Sequence, residues 1–285
     1  MEPDPAPVIL VAGSLHMDVI VDTPHLPRLD ETVTGRDVRY AFGGKGGNQA
    51  LSAARMGARV DMAGMVGTDD FAQELTRALD QGRVGRVQVQ AVDGPSGMSV
   101  ALLRPDGGSG AVIVSGANLK FRAERVSFPK DCRAILMQNE IPEAVNVHLA
   151  RRAASARIKV IVNAAPMREM SPELLRMTDL LVVNRVEAAD LLGQSEASLD
   201  PVAAAVALGN LGPRAAVVTM GADGLALWSG EQASRHPAFA VRARSSHGAG
   251  DAFIGALDGS QGQGAGGPGL SLIIAMITRH PVLPP

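Results

Sequence analysis

Short apolar runs bounded by small or polar residues recur along the chain, with amphipathic stretches between them. Val8 to Val11 is the first, ending in Ala12-Gly13. Val60 to Val66, Ala134 to Gln138, Val160 to Val162, Leu180 to Val183 and Ala215 to Met220 repeat the design. Runs of this length without alternation suit strands buried on both faces, as in parallel sheets. Val19 to Val21 and Glu31 to Tyr40 alternate instead and predict short strands separated by a proline-containing turn. Ser99 to Arg104 and Ala111 to Ser115 predict a hairpin around Pro105-Asp106-Gly107-Gly108, and Leu225 to Trp228 and Phe239 to Val241 two further strands. Ala50 to Met56, closed by Gly57, Phe71 to Leu79 and Glu143 to Ala156 carry helical patterns. Strands alternating with helices predict an α/β fold: a mainly parallel sheet covered on both faces.

Polar groups gather where these strands end, the edge at which open α/β sheets hold ligands. Ser14-Leu15-His16-Met17-Asp18 follows the first strand. Asp18 reads either as a turn residue or as a carboxylate for hydroxyl groups, and His16 as a hydrogen-bonded structural histidine. Gly43-Gly44-Lys45-Gly46-Gly47-Asn48 lets a ligand approach the backbone, with an ammonium and an amide beside it. No Gly-Lys-Ser/Thr closes it, so it is not a Walker A loop; a glycine-rich turn with a solvated lysine is the plain alternative. Glu140 follows the strand ending at Gln138. Asn184 and Glu187 lie three apart, which fits both a capping box and a carboxylate–amide pair for hydrated Mg²⁺. Gly221-Ala222-Asp223-Gly224 predicts a tight turn. Finally, Gly248-Ala249-Gly250-Asp251 runs into an apolar helical segment. Amides at such a helix start form an anion socket, and an adjacent aspartate can take a proton from a hydroxyl. That pairing suits phosphoryl transfer to an alcohol; a strand-to-helix turn with Asp251 in its first turn is the plain alternative.

Composition narrows the classes. Of 285 residues, 46% are hydrophobic and 20% charged, as in soluble globular chains. The net charge of −2 and aromatic content of 3% give no support to a nucleic-acid partner. A lone cysteine, Cys132, excludes an intramolecular disulfide and a multi-cysteine metal site, and its place before an apolar run predicts burial. The N-terminus lacks a signal-peptide pattern and no apolar run reaches the length of a membrane span, so a cytoplasmic location without a membrane partner is expected. From Asp258 to Gly269 the composition is that of a linker, and it shortens the helix from Ala252 to about two turns.

Together these stretches resemble the ribokinase family of PfkB-type carbohydrate kinases, from about Val8 to Leu257. The GGKGGN motif at 43–48 and the GAGD motif at 248–251 are specific when found in this order. ETVTG at 31–35, AGMVG at 63–67, SGAN at 115–118, LMQNE at 136–140 and NAAP at 163–166 strengthen the likeness. The resemblance implies one doubly wound α/β domain spanning 1–285, with a small β lid from segments 15–42 and 97–115, through which members often dimerise. It implies ATP-dependent phosphorylation of a sugar hydroxyl, D-ribose first. Asp251 is then the general base, and Gly248, Ala249 and Gly250 form the anion hole. Asp18, Gly44, Lys45, Asn48, Glu140 and Asp251 contact the sugar. Asn184, Thr219, Gly221, Gly224 and Gly250 serve the nucleotide, and Glu187 holds Mg²⁺ through water.

Three departures stand out. Ser245-Ser246 replaces the family's Asp-Thr, so the Ser245 position for a monovalent cation, and with it K⁺ dependence, is in question. His16 replaces a usual asparagine beside the sugar, which bears on sugar preference. The stretch 258–285 has no family likeness. The alternatives are therefore a kinase for another sugar, a sugar acid or a nucleoside; a non-catalytic sugar- or nucleotide-binding remnant; or a poorly folded truncation product.

Overall fold

Along Val8–Ala12 (β1) every residue is buried, and successive side chains enter opposite layers of the molecule. The computed structural model describes residues 8–106, 108–238 and 249–259. After three residues the chain resumes as His16–Asp22 (β2), which pairs antiparallel with Asp37–Gly43 (β3). Lys45–Arg55 (α1), Arg59–Val66 (β4), Asp70–Gln81 (α2) and Gly85–Ala91 (β5) follow. Gly97–Leu103 (β6) and Ser109–Val114 (β7) make the expected hairpin. The rest alternates: Cys132–Gln138 (β8), Glu143–Ser155 (α3), Lys159–Asn163 (β9), Pro172–Met177 (α4), Leu180–Asn184 (β10), Arg185–Leu192 (α5) and Pro201–Gly209 (α6). Ala216–Thr219 (β11), Leu225–Trp228 (β12), Ala233–His236 (β13) and Ala249–Gly259 (α7) complete it.

The large sheet has the order β13-β12-β11-β10-β9-β8-β1-β4-β5. Its strands from β5 to β11 are parallel, and β12 and β13 add an antiparallel edge. Leu10 and Ala12 join a core with Ile135, Met137, Val160 and Val183 beneath α3 to α6. Ile9 and Val11 join the opposite core with Ala50, Ala53, Leu75, Leu79 and Ile254 from α1, α2 and α7. Helices on both faces are what unbroken apolar strands require. The chain runs from β1 outward to β4 on one side and later returns to β8 on the other. The order therefore reverses beside β1, and the carboxyl ends at such a switch point are where open α/β sheets form their ligand crevice.

A second sheet, β3-β2-β6-β7, springs from the end of β1 and unites the two segments expected to form a lid. Some expectations need correction. The strand expected from Glu31 starts at Asp37; Glu31 lies in a loop, where its carboxylate accepts from the Arg28 amide and meets His25 Nε2. β5 and β13, rich in polar residues and at opposite edges of the sheet, were not expected as strands. The last helix starts at Ala249, earlier than Ala252. Cys132 is buried, as expected. The expected strand 239–241 and the segment 260–285 lie outside the described residues. Among the described residues no helix is long and apolar enough to cross a membrane.

Candidate active site

Two backbone approaches shape the crevice. Gly44 caps α1 with φ 83°, and a Cβ there would lie 2.7 Å from the His16 amide nitrogen. Gly46 packs as closely on the turn after β1, with a Cβ 2.6 Å from the Ser14 nitrogen. Only glycine fits such positions, and the result is that the start of α1 lies directly on the end of β1. The Lys45 amide donates to Glu140 Oε2 at 2.8 Å, and the Ser14 hydroxyl donates to the same oxygen. Glu140, just beyond β8, is thereby fixed across the switch point.

Asp18 is buried on β2, where its carboxyl packs over the bare Cα of Gly43. Ser99 on β6, its register partner, donates a 2.6 Å hydrogen bond to it. Both readings left open for Asp18 are thus narrowed, because it sits inside a strand and not in a turn. His16 faces the same side of β2, two residues earlier, with Nδ1 3.9 Å from Glu140 Oε2. Burial pulls its pKa below the ordinary histidine value, against the pull of Glu140 and Asp18. Its Nε2 is buried without a hydrogen-bond partner among the described residues, which corrects the expectation of a satisfied structural histidine.

Asp251 lies in the first turn of α7 and is 7% exposed. Gln49 Nε2 donates to its Oδ1 at 2.9 Å, and Asn48 Nδ2 approaches Oδ2 at 3.5 Å. Burial pushes this carboxyl above the usual carboxylate range; Lys45, Gln49 and Asn48 pull it back, and Glu140 adds to the rise. Ala249 and Gly250 precede it in the same turn, whose amides lack intrahelical acceptors, and a Cβ at Gly250 would meet nothing within 4 Å among the described residues. Across the crevice, Asn184 and Glu187 form a reciprocal capping box at the start of α5, with two 2.8 Å bonds. Burial raises the Glu187 pKa, and Lys45 and Asp251 act on it electrostatically from the other side. Lys45, Glu140, Glu187 and Asp251 therefore share one field.

The sequence model described as pfkB family carbohydrate kinase matches residues 7–258. The chain belongs to that family. It is a phosphotransferase acting on a sugar hydroxyl. The kinase is 32% identical to mouse (Mus musculus) ribokinase over 263 residues, covering 88% of this chain and 81% of that one. It is 33% identical to the deoxyribokinase of Salmonella typhi over 255 residues, covering 87% and 83%. In structure it is similar to Arabidopsis thaliana ribokinase complexed with ribose and ATP, with TM-score 0.81 and 28% identity, covering 94% and 86%.

Within the kinase, the sequence-derived groups fall into one cluster and one neighbour. Asp18, Gly44, Lys45, Asn48, Glu140, Ala249, Gly250 and Asp251 surround the crevice. Thr219, Gly221 and Gly224 form a turn at the end of β11, the strand beside β10. There Thr219 donates to the Val183 carbonyl, and Gly224, with φ 89°, lies against the His236 carbonyl. Gly248 and Ser245 lie outside the described residues. Sequence reasoning missed Ser14, Ser99 and Gln49. Gln49 and Gln138 did leave a signal, as amides inside otherwise apolar or small-residue elements; Ser99 left none, because only strand register brings it to Asp18.

Proposed function

We propose that this kinase transfers the γ-phosphoryl group of ATP to the primary hydroxyl of D-ribose. The observation that carries the reading is a buried carboxylate, Asp251, set in the first turn of a helix and facing Lys45 and Asn48. In this reading Asp18, Lys45, Asn48 and Glu140 bind the sugar hydroxyls. Asp251 accepts the proton of the attacking hydroxyl, and the amides of Gly248, Ala249 and Gly250 hold the phosphoryl charge. Thr219, Gly221, Gly224 and Asn184 line the nucleotide side. The small sheet is the lid, and its closure excludes water.

The donor set suits Mg²⁺. Among the described residues no group of three or more acidic, histidine or cysteine side chains is arranged to hold a metal ion by itself. Glu187 keeps one carboxylate oxygen outside the capping box. One carboxylate with water and phosphate oxygens is the way this ion is commonly held. Glu187 would hold it through water, and the ion would neutralise phosphate charge. Val38, Tyr40, Val112 and Val114 are exposed on one face of the lid, which supports a homodimer joined there. A cytoplasmic location completes the reading.

Deoxyribose is the second reading, favoured by the likeness to a deoxyribokinase. Sugar-dependent ADP release, measured with ribose, 2-deoxyribose, fructose and 2-keto-3-deoxygluconate, separates the two. Ribose is expected to give the highest kcat/KM, and Asp251→Asn is expected to lower kcat roughly 10³-fold or more. A cooperatively melting protein without sugar-dependent turnover would refute the reading.

A further inference from the structure

Behind Asp251 lies a line of amides that the proposed chemistry leaves unused. Gln49, on α1, is fully buried and makes three hydrogen bonds through its side chain. Its Nε2 donates to Asp251 Oδ1 at 2.9 Å and to Asn163 Oδ1 at 3.1 Å. Its Oε1 accepts from Gln138 Nε2 at 2.7 Å. Asn163, at the end of β9, is itself fixed by donating to the Val182 carbonyl. Gln138, at the end of β8, packs against Gly13, where a Cβ would lie 1.9 Å from its Oε1.

The chain of bonds has a direction. If the Gln49 amide turned over, its oxygen would face a carboxylate oxygen and the Asn163 oxygen, while its NH₂ would meet the NH₂ of Gln138. Each of the three contacts would become repulsive. The Gln138 donor thus keeps the Gln49 amide with its N–H toward Asp251. Two helix contacts hold the distance: Ser52 donates to the Ala252 carbonyl at 2.8 Å, and Gly255 leaves room only for a hydrogen against Gln49 and Ser52.

We infer that Gln49 is a positioning residue for Asp251, oriented by Gln138, which fixes the carboxylate and stabilises its ionised form. The inference rests on Asp251 being the base, as proposed above. A donor aimed at a carboxylate favours the charged state, and burial opposes it here. The other groups acting on Asp251 are Lys45 of α1, Asn48 of α1, Glu140 after β8 and Glu187 of α5. None of these is altered by a change at Gln49 or Gln138.

The test is the pH profile of kcat/KM for Gln49→Met, which keeps the volume and removes the donor. The acidic limb is expected to move up by roughly half to one pH unit and kcat at neutral pH to fall about 10-fold, with sugar KM within about 3-fold of the parent. Gln138→Met, which leaves Gln49 in place but frees its amide, is expected to move the limb the same way by less. A parent-like limb in both variants, in protein that melts cooperatively, would overturn the inference. If Gln49→Met does not fold, Gln138→Met alone decides it. If the parent shows no turnover with any sugar, the function proposed above fails, and the melting temperature against pH still reads the Asp251 proton. There the Gln49→Met curve must decline to higher pH than the parent curve, and coincident curves refute the role.

Discussion

At Asp251 two demands oppose each other. The general base it is proposed to be must be ionised near neutral pH, whereas removal from water favours its protonated form. Its folded-state pKa lies above the ordinary value of 3.8, so the folded protein holds this proton more tightly than the unfolded chain. The sign of the linkage follows: this contribution to stability is fully present below 3.8 and is lost as pH rises through the raised value. Asp251→Asn removes the ionisation. It is expected to abolish turnover while melting at or above the parent temperature at mildly alkaline pH, by calorimetry across a pH series. A variant that melts well below the parent at that pH would show that the carboxylate is stabilising. The aspartate itself was legible because GAGD names it; Gln49 was not, since it meets Asp251, and Gln138 meets Gln49, only after α1, β8 and α7 have packed.

Among the elements, α2 shows how the two sheets are joined. Asp69 caps it, accepting from the Ala72 amide, and its carboxylate also takes the Ser96 hydroxyl at 2.6 Å and the Ser96 amide at 2.8 Å. Ser96 stands immediately before β6, so this cap tethers the small sheet to the end of β4. Burial opposes the charge, yet the Ser96 and Ala72 donors hold the Asp69 carboxyl below its usual range. Asp69→Ala is expected to cost about 1–3 kcal/mol in denaturant titration, from the lost cap and the stranded Ser96 amide. Asp69→Asn is expected to recover part of it. Equal stability of Asp69→Ala and parent would contradict the tether. Most elements could be read from pattern, because buried parallel strands leave unbroken apolar runs. The edges could not: β5 and β13 are half-solvated and polar, and α4 is only two turns long and opens with Pro172. Strand register, and with it the Ser99–Asp18 pair, is a long-range property that local sequence does not carry.

For the molecule as a whole, the small sheet presents an apolar face that is largely exposed among the described residues, with only the Phe71 ring of α2 beside Tyr40. Tyr40 is 63% exposed and Val112 66%. A second copy packed there would remove that surface from water. The protein is expected to sediment as a dimer, and Val112→Asp to shift it toward monomer with the melting profile of the large sheet little changed. A monomeric parent at micromolar concentration would rule this interface out. The architecture of the large sheet followed from the alternation of strands and helices; the pairing of two distant segments into one small sheet came from the family resemblance.

Gln49 and Asp251 touch, yet 202 residues separate them along the chain. At ribosomal speeds of roughly 5–20 residues per second, the carboxylate is synthesised about 10–40 s after the amide that orients it. During that interval the groups on α1 and after β8 are already made, whereas the carboxylate proposed to draw a proton from a bound hydroxyl is not. Because the proposed base arrives among the last described residues, a nascent chain is expected to be unable to transfer phosphate until α7 has been made. On that reading, synthesis order would act as a timer on the chemistry.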